Sequence, residues 1–313
     1  MNYLKQIAMR TTFGESLLEL AKGYPEIVVL DADVSSSTQT IKFGIEYPDR
    51  FFNVGVAEAN MVDMASGFAL CGLRPIVSAF SIFLTLKATE QIANVICYNK
   101  LPVILVGGYA GLSDSFDGAS HQSITDIAIM RSMPNLNVIV PADSIELAQA
   151  LRQVIKLKTP TYLRISRNPS PVLFEDGDQF IFGKIKRIQE GKDITIAACG
   201  ITLSIAIEAA NELNKKGISA DVLNVSTIKP MDIDSLVMSV RKTGKILTVE
   251  EHSIFGGLGS AVSETLMKNY PVMMDFIGVN DTFTETGPYP ELLDKYHISK
   301  ESIIEKTIIL LSK

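Results

Sequence analysis

Along the first half of the chain, short apolar runs alternate with stretches whose apolar residues recur every three or four positions. Residues 27–31, 51–56, 75–79, 102–107, 138–141 and 161–165 read as strands, and the segments between them read as helices. The first helix is expected around Leu17 to Ala21, opened by Thr11 or Thr12 as its cap. Strands that are apolar on both faces and separated by helices predict a mostly parallel sheet with helices on both sides. Residues 168–183 break the pattern with prolines, acidic residues and no helical period. A second series follows, with strands at 194–198, 220–225, 246–249 and 272–279 and a helix at 203–215. The expected fold class is therefore α/β in two domains, each a mostly parallel sheet flanked by helices. The expected boundaries are 1–170 for the first domain, 171–190 for the linker and 191–313 for the second.

Ligands of such sheets gather at the carboxyl ends of the strands. Asp31 to Asp33, Glu58, Phe80 and the loop from Gly107 to His121 would all emerge there. Glu58 stands out because it opens a helix whose Met61, Met64, Ala65 and Phe68 repeat at core-facing spacing. A carboxylate in that place has a plain electrostatic reason, since the helix dipole favours it by a few tenths to about 1 kcal/mol. The following strand ends in Phe80-Ser-Ile-Phe83, two aromatics three residues apart.

With 313 residues, 47% hydrophobic and 20% charged, the composition is that of an ordinary globular protein. A net charge of −6 argues against nucleic acid as the main partner, because counterion release requires a basic face. A small anionic substrate remains compatible where a few arginines are concentrated. No apolar run approaches the roughly 20 residues of a membrane span, and the first ten residues lack a basic-then-apolar signal pattern, so a cytoplasmic location is expected. Cys71, Cys97 and Cys199 are isolated and set among apolar residues, which reads as three core thiols and neither a disulfide framework nor a zinc site. Gly256-Gly-Leu-Gly259 sits between a strand and a helix, but the spacing of a dinucleotide loop is incomplete.

Glu58 with Phe80 and Phe83, then Asp117-Gly-Ala-Ser-His121-Gln, Pro134-Asn, Val140-Pro-Ala-Asp143, Ile165-Ser-Arg167 and Val249 to Gly259, resemble in order the back half of transketolases. The resemblance spans nearly the whole chain. It implies an aminopyrimidine-binding domain followed by the family's C-terminal domain, with thiamine diphosphate as cofactor. Glu58 would meet the pyrimidine ring and favour its imino tautomer, so that the exocyclic amine can take the thiazolium C2 proton. Phe80 and Phe83 would pack against the same ring, and burial among Phe80, Phe83 and Met61 is expected to favour a part-time protonated Glu58.

The resemblance further makes His121 an acid/base group at the sugar hydroxyls, Asp117 a hydroxyl contact, and Arg10, Ser37 and Arg167 the grip on a substrate anion. From the residues alone, His121 could equally be a helix-start residue and each arginine a surface ion pair. His252 and His297 are read as structural. The sequence departs from the family at Tyr109, where a phosphate-contacting histidine is common, at Leu86 in place of a tyrosine, and at Ser115-Phe116 in place of Gly-Glu. These departures cast doubt on the usual sugar phosphates.

The family's Gly-Asp-Gly followed by Asn, which binds Mg²⁺ and the diphosphate, has no counterpart in the sequence. The resemblance then implies a separate N-terminal, pyrophosphate-binding partner subunit that holds the Mg²⁺, small anionic sugar substrates, self-association into a dimer, and a heterotetramer as the working assembly. The expected activity is transfer of a two-carbon ketol unit between sugars. Alternatives are a 1-deoxyxylulose-5-phosphate synthase-like enzyme, the β subunit of a 2-oxo acid dehydrogenase E1 component, a catalytically idle scaffold, or a nucleotide-binding protein.

Overall fold

A computed structural model describes residues 5–175 and 177–313. In chain order its strands are β1 (Gln6–Ala8), β2 (Ile27–Asp31), β3 (Phe51–Asn53), β4 (Arg74–Phe80), β5 (Ile104–Gly108), β6 (Asn137–Ile139), β7 (Thr161–Arg164) and β8 (Pro169–Pro171). They continue with β9 (Lys186–Gln189), β10 (Ile194–Ala198), β11 (Ala220–Asn224), β12 (Thr227–Lys229), β13 (Lys245–Ser253) and β14 (Met273–Val279). A seven-stranded sheet runs in the order β12-β6-β7-β5-β4-β2-β3 and a five-stranded one in the order β14-β13-β10-β11-β9. Both are parallel except at one edge, where β12 and β9 run antiparallel to their neighbours. The α/β class with mostly parallel, helix-flanked sheets is thus present as expected. Strand β12 comes from the second half of the chain yet completes the first sheet.

The central strands β2, β5 and β10 are buried at every position, which is why they are apolar on both faces, with hydrogen-bonded Asp31 and Thr195 the polar exceptions. One core layer pairs Phe13, Leu17 and Leu20 of the helix Met9–Gly23 with Ile27, Val29, Ile76, Ile104 and Val106 on one face of the first sheet. Another packs Met61, Val62 and Ala65 of the helix Glu58–Leu70 against Leu30, Val77 and Leu105 on the opposite face. Truncating a buried Leu or Met in such layers costs about 2–5 kcal/mol.

Local geometry corrects several details. Strand β3 stops at Asn53 rather than at residue 56: the Val54 amide makes the last ladder bond, to the Asp31 carbonyl of β2, and Gly55 then turns the chain at φ +72. That turn aims the chain into the helix whose first residue is Glu58. Strand β6 ends at Ile139, and the Val140 amide then bonds to the Ser226 carbonyl at 2.7 Å. The first helix begins at Met9, ahead of both threonines, with Ala8 as its cap residue and no side-chain cap, so Arg10 lies in its opening turn. Cys97 and Cys199 are core thiols, but Cys71 is exposed, since it falls in the turn that ends the Glu58–Leu70 helix.

The glycine-rich segment after β13 is filled from within. The Leu258 and Gly259 amides donate to the two carboxylate oxygens of Glu250 at 2.7 and 2.8 Å. A Cβ on Gly257 would stand 1.9 Å from that carboxylate. The anion preferred by this helix start is the protein's own, which leaves no cradle for a nucleotide phosphate.

Candidate active site

The carboxyl ends of β2, β4 and β5 carry a continuous line of polar and aromatic side chains. At one end, Glu58 is buried, with 4% of its surface exposed, on the first turn of its helix. Phe80 closes β4, and Phe83 and Lys87 follow on the helix Ser81–Lys87, four residues apart and so on one face. The Lys87 ammonium lies 4.3 Å from the centre of the Phe83 ring and 3.1 and 3.2 Å from the two Glu58 oxygens. Met61 is fully buried on the same helix as Glu58. The sequence expectation surrounded Glu58 with aromatics and Met61 alone and missed this cation. Its only sequence signal was the four-residue spacing from Phe83.

In the middle of the line, Phe80 and Phe83 are stacked with ring centres 6.1 Å apart. The imidazole of His121 stands edge-on to Phe83 at 5.1 Å and to Phe80 at 6.4 Å. Ser120 Oγ sits 3.0 Å from His121 Nδ1. His121 is half-buried, held by a turn in which its amide donates to the Gly118 carbonyl.

The far end gathers Arg10, Ser37, Tyr109, Asp114, Asp117 and Arg167. Tyr109 follows β5 with φ +60, a left-handed conformation that costs a bulky residue about 1–3 kcal/mol. Its buried ring is stacked on Phe80 at 4.3 Å, and its hydroxyl accepts a 2.7 Å bond from Arg10. The Arg167 guanidinium lies 4.9 Å from the Tyr109 ring centre. Arg10 and the Tyr109 hydroxyl each reach the Ser37 carbonyl at 3.4 Å. The short helix Ser35–Thr38 that carries Ser37 is itself held by buried Asp31, which accepts bonds from the Val34 amide and the Thr38 and Thr40 hydroxyls. Burial pushes the Asp31 carboxyl up, against the pull of those three bonds.

Arg167 donates to Asp114 Oδ1 at 2.6 Å and lies 4.0 Å from Asp117. Asp117 is exposed, whereas the Asp114 side chain is wholly buried and its second oxygen has no hydrogen-bond partner. Burial, then the neighbouring Asp117 carboxylate, push Asp114 up to about 7 against the pull of Arg167. Asp114 also escaped sequence reasoning, because a loop residue has no periodicity to mark it.

All the site residues expected from the sequence therefore lie along one line, with Glu58 and the arginines at opposite ends. A carboxylate beside an aromatic face is the acceptor set that a planar ring bearing an N–H requires, so the Glu58 end fits an aminopyrimidine. The described residues include no group of three or more His, Cys, Asp and Glu side chains able to hold a metal ion. No helix among them is long and apolar enough to cross a membrane.

Comparison with known proteins identifies the family. Residues 5–171 match the transketolase pyrimidine-binding domain, and residues 183–303 match the transketolase C-terminal domain. The chain is 38% identical over 301 residues to a 6-deoxy-6-sulfo-D-fructose transketolase subunit of Clostridium sp., covering 96% of this chain and 94% of that one. It is 34% identical over 308 residues to an apulose-4-phosphate transketolase subunit of Phocaeicola vulgatus, covering 98% of both. A solved split-gene transketolase, described as an inactive β4 tetramer, superposes with a TM-score of 0.90 at 40% identity, covering 98% of this chain and 99% of that one. The chain belongs to the transketolase family, as a C-terminal subunit made of the pyrimidine-binding and C-terminal domains.

Proposed function

We propose that this chain is the pyrimidine-binding half of a thiamine-diphosphate-dependent transketolase that moves a two-carbon ketol unit between small anionic sugars. The observation that carries the reading is the single line from Glu58 through Phe83, Phe80 and His121 to Arg10 and Arg167. It puts a ring-binding end, an acid/base group and an anion-binding end in the order that a ketose with a charged terminus requires.

Thiamine diphosphate, when bound, supplies an acidic thiazolium carbon able to add to a ketose carbonyl and retain the two-carbon fragment. Glu58 would hold the pyrimidine ring and share a proton with it, and for this the Lys87 ammonium would have to leave its carboxylate. Phe80 and Phe83 would pack against the ring. His121 moves protons at the sugar hydroxyls, and Asp117 accepts from a hydroxyl and so selects stereochemistry. Arg10 and Arg167, with Ser37, receive the anion through charge-assisted hydrogen bonds. Tyr109 fixes both arginines from between them.

The diphosphate and its Mg²⁺ belong to a separate partner subunit in this reading, because Glu58 and the aromatics serve the ring while no carboxylate cluster among the described residues serves the metal. Two copies of each chain would then build two sites. Val56, Leu86 and Phe116, all strongly exposed and close in sequence to site residues, would be covered in the assembly. Relatives are named for a sulfo-sugar and for a sugar phosphate, which supports an anionic substrate. The test is to mix the purified chain with its pyrophosphate-binding subunit, Mg²⁺ and thiamine diphosphate and to follow ketol transfer from anionic ketoses. Activity that needs both chains supports the reading, and no transfer from any anionic ketose by the assembled pair overturns it.

A further inference from the structure

The anion end holds more negative charge than gripping an anion calls for. Arg167 is tied from three directions: its guanidinium donates to Asp114 Oδ1 at 2.6 Å, its amide donates to Ser113 Oγ at 3.1 Å, and its planar face lies against Tyr109. Asp114 is fully buried and its Oδ2 has no hydrogen-bond partner. Asp117 Oδ2 is a further 4.0 Å neighbour of Arg167, but it is exposed to solvent, which weakens its effect. Arg10 meets only neutral groups among its side-chain hydrogen bonds, the Tyr109 hydroxyl and the Ser37 carbonyl. Above about pH 7, where Asp114 is ionised, its buried carboxylate offsets one of the two arginine charges, and the cluster then faces its ligand with close to one positive charge.

We propose that Asp114 selects the charge of the substrate terminus, so that this end takes a singly charged anion, such as a sulfonate or carboxylate, in preference to a doubly charged phosphate. The inference rests on the anion-binding reading of Arg10 and Arg167 given above. The second charge of a dianion would be brought near a buried carboxylate, where repulsion is poorly screened, while a monoanion meets a matched site. Asp114 acts here through charge and not merely by positioning Arg167, and the two roles separate experimentally. A positioning role changes the affinity of every anion by one factor, whereas a charge role changes the ratio between anions.

The test uses the intact chain and two simple probes at about pH 8, methanesulfonate as the monoanion and methyl phosphate as the dianion. The Arg10 and Arg167 side-chain N–H resonances report binding by NMR. In the wild type, methanesulfonate is expected to bind more tightly than methyl phosphate. Asp114→Asn keeps an oxygen acceptor for Arg167 and removes the charge. It is expected to shift the ratio of the two dissociation constants toward methyl phosphate by at least about tenfold, while the methanesulfonate constant changes little. Asp114→Ser replaces it if the Asn variant loses its dispersed spectrum. Dissociation constants for both probes that change by the same factor, or a ratio that stays fixed, overturn the proposal alone. If neither probe perturbs either arginine, the anion-binding reading falls with it.

Discussion

The Lys87 ammonium bridges both carboxylate oxygens of Glu58, at 3.1 and 3.2 Å, while resting on the face of Phe83. One side chain thus engages the two groups that the reading gives to the cofactor ring. Lys87 is roughly half exposed and so can swing into solvent, and a pair of this kind contributes about 0.2–1 kcal/mol. Replacing Lys87 with Gln is expected to tighten thiamine diphosphate binding in the assembled enzyme by up to about fivefold, the equivalent of ~1 kcal/mol. Calorimetric titration checks this, and weaker binding in the variant would make Lys87 a cofactor ligand instead.

Glu58→Gln removes the exchangeable carboxyl proton while keeping the shape. Turnover of the assembled enzyme is expected to fall by at least ~10²-fold, the usual scale of a lost acid/base group, with the far-ultraviolet circular dichroism unchanged. The direct measurement is hydrogen–deuterium exchange at the cofactor's thiazolium carbon. Exchange as fast as in the wild type would exclude the assigned role.

Arg10→Ala and Arg167→Ala each remove a charged hydrogen-bond donor, worth roughly 1.5–3 kcal/mol, or about 10- to 150-fold in KM for an anionic ketose. An uncharged ketose of the same length should be nearly indifferent to both changes. If charged and uncharged ketoses suffer equally, the arginines are structural and the anion sits elsewhere.

Glu251, on β13, gives the fold a pH dependence. Its carboxyl is fully buried; it accepts from the Leu112 amide, and burial outweighs Arg164 to push it from 4.5 up to about 7. Below about pH 4.5 the folded and unfolded states both hold this proton. Between there and 7 the folded state holds more of it, so stability is lost as pH rises through 7. Glu251→Gln keeps an acceptor for Leu112 and carries no charge to bury. The Tm of the variant relative to wild type is expected to be higher at about pH 8 than at about pH 5. A Tm difference independent of pH would show that Glu251 is not protonated in the fold.

The isolated chain is expected to self-associate and to catalyse no ketol transfer, because in the proposed reading the described residues serve the ring and the sugar and leave the diphosphate to the partner subunit. Sedimentation and activity assays with and without the partner subunit decide this. Ketol transfer by the chain alone, with micromolar binding of thiamine diphosphate, would refute it.

The sequence by itself determined the elements that burial dictates. Residues 27–31 and 194–198 were legible as strands to the residue, because a strand covered on both faces is apolar nearly throughout. Glu58 was legible as the first residue of a helix, and Phe80 and Phe83 as an aromatic pair, because local spacing fixes both. Edges were less legible. The end of β3 depends on where the Val54 amide finds a carbonyl, and Cys71 is exposed because a helix stops just before it. The helix start at Met9 lacked the side-chain cap that sequence reasoning looks for. What only the tertiary structure decided was which charges meet. Lys87 reaches Glu58 across 29 positions of sequence, and Arg167 reaches Asp114 across 53. β12 crosses from the second half of the chain to complete the first sheet. Pairings of this kind follow no period along the chain. They arise because parallel crossovers bring the carboxyl ends of separate strands to one edge, where the charge on each loop is set by the neighbours that packing supplies.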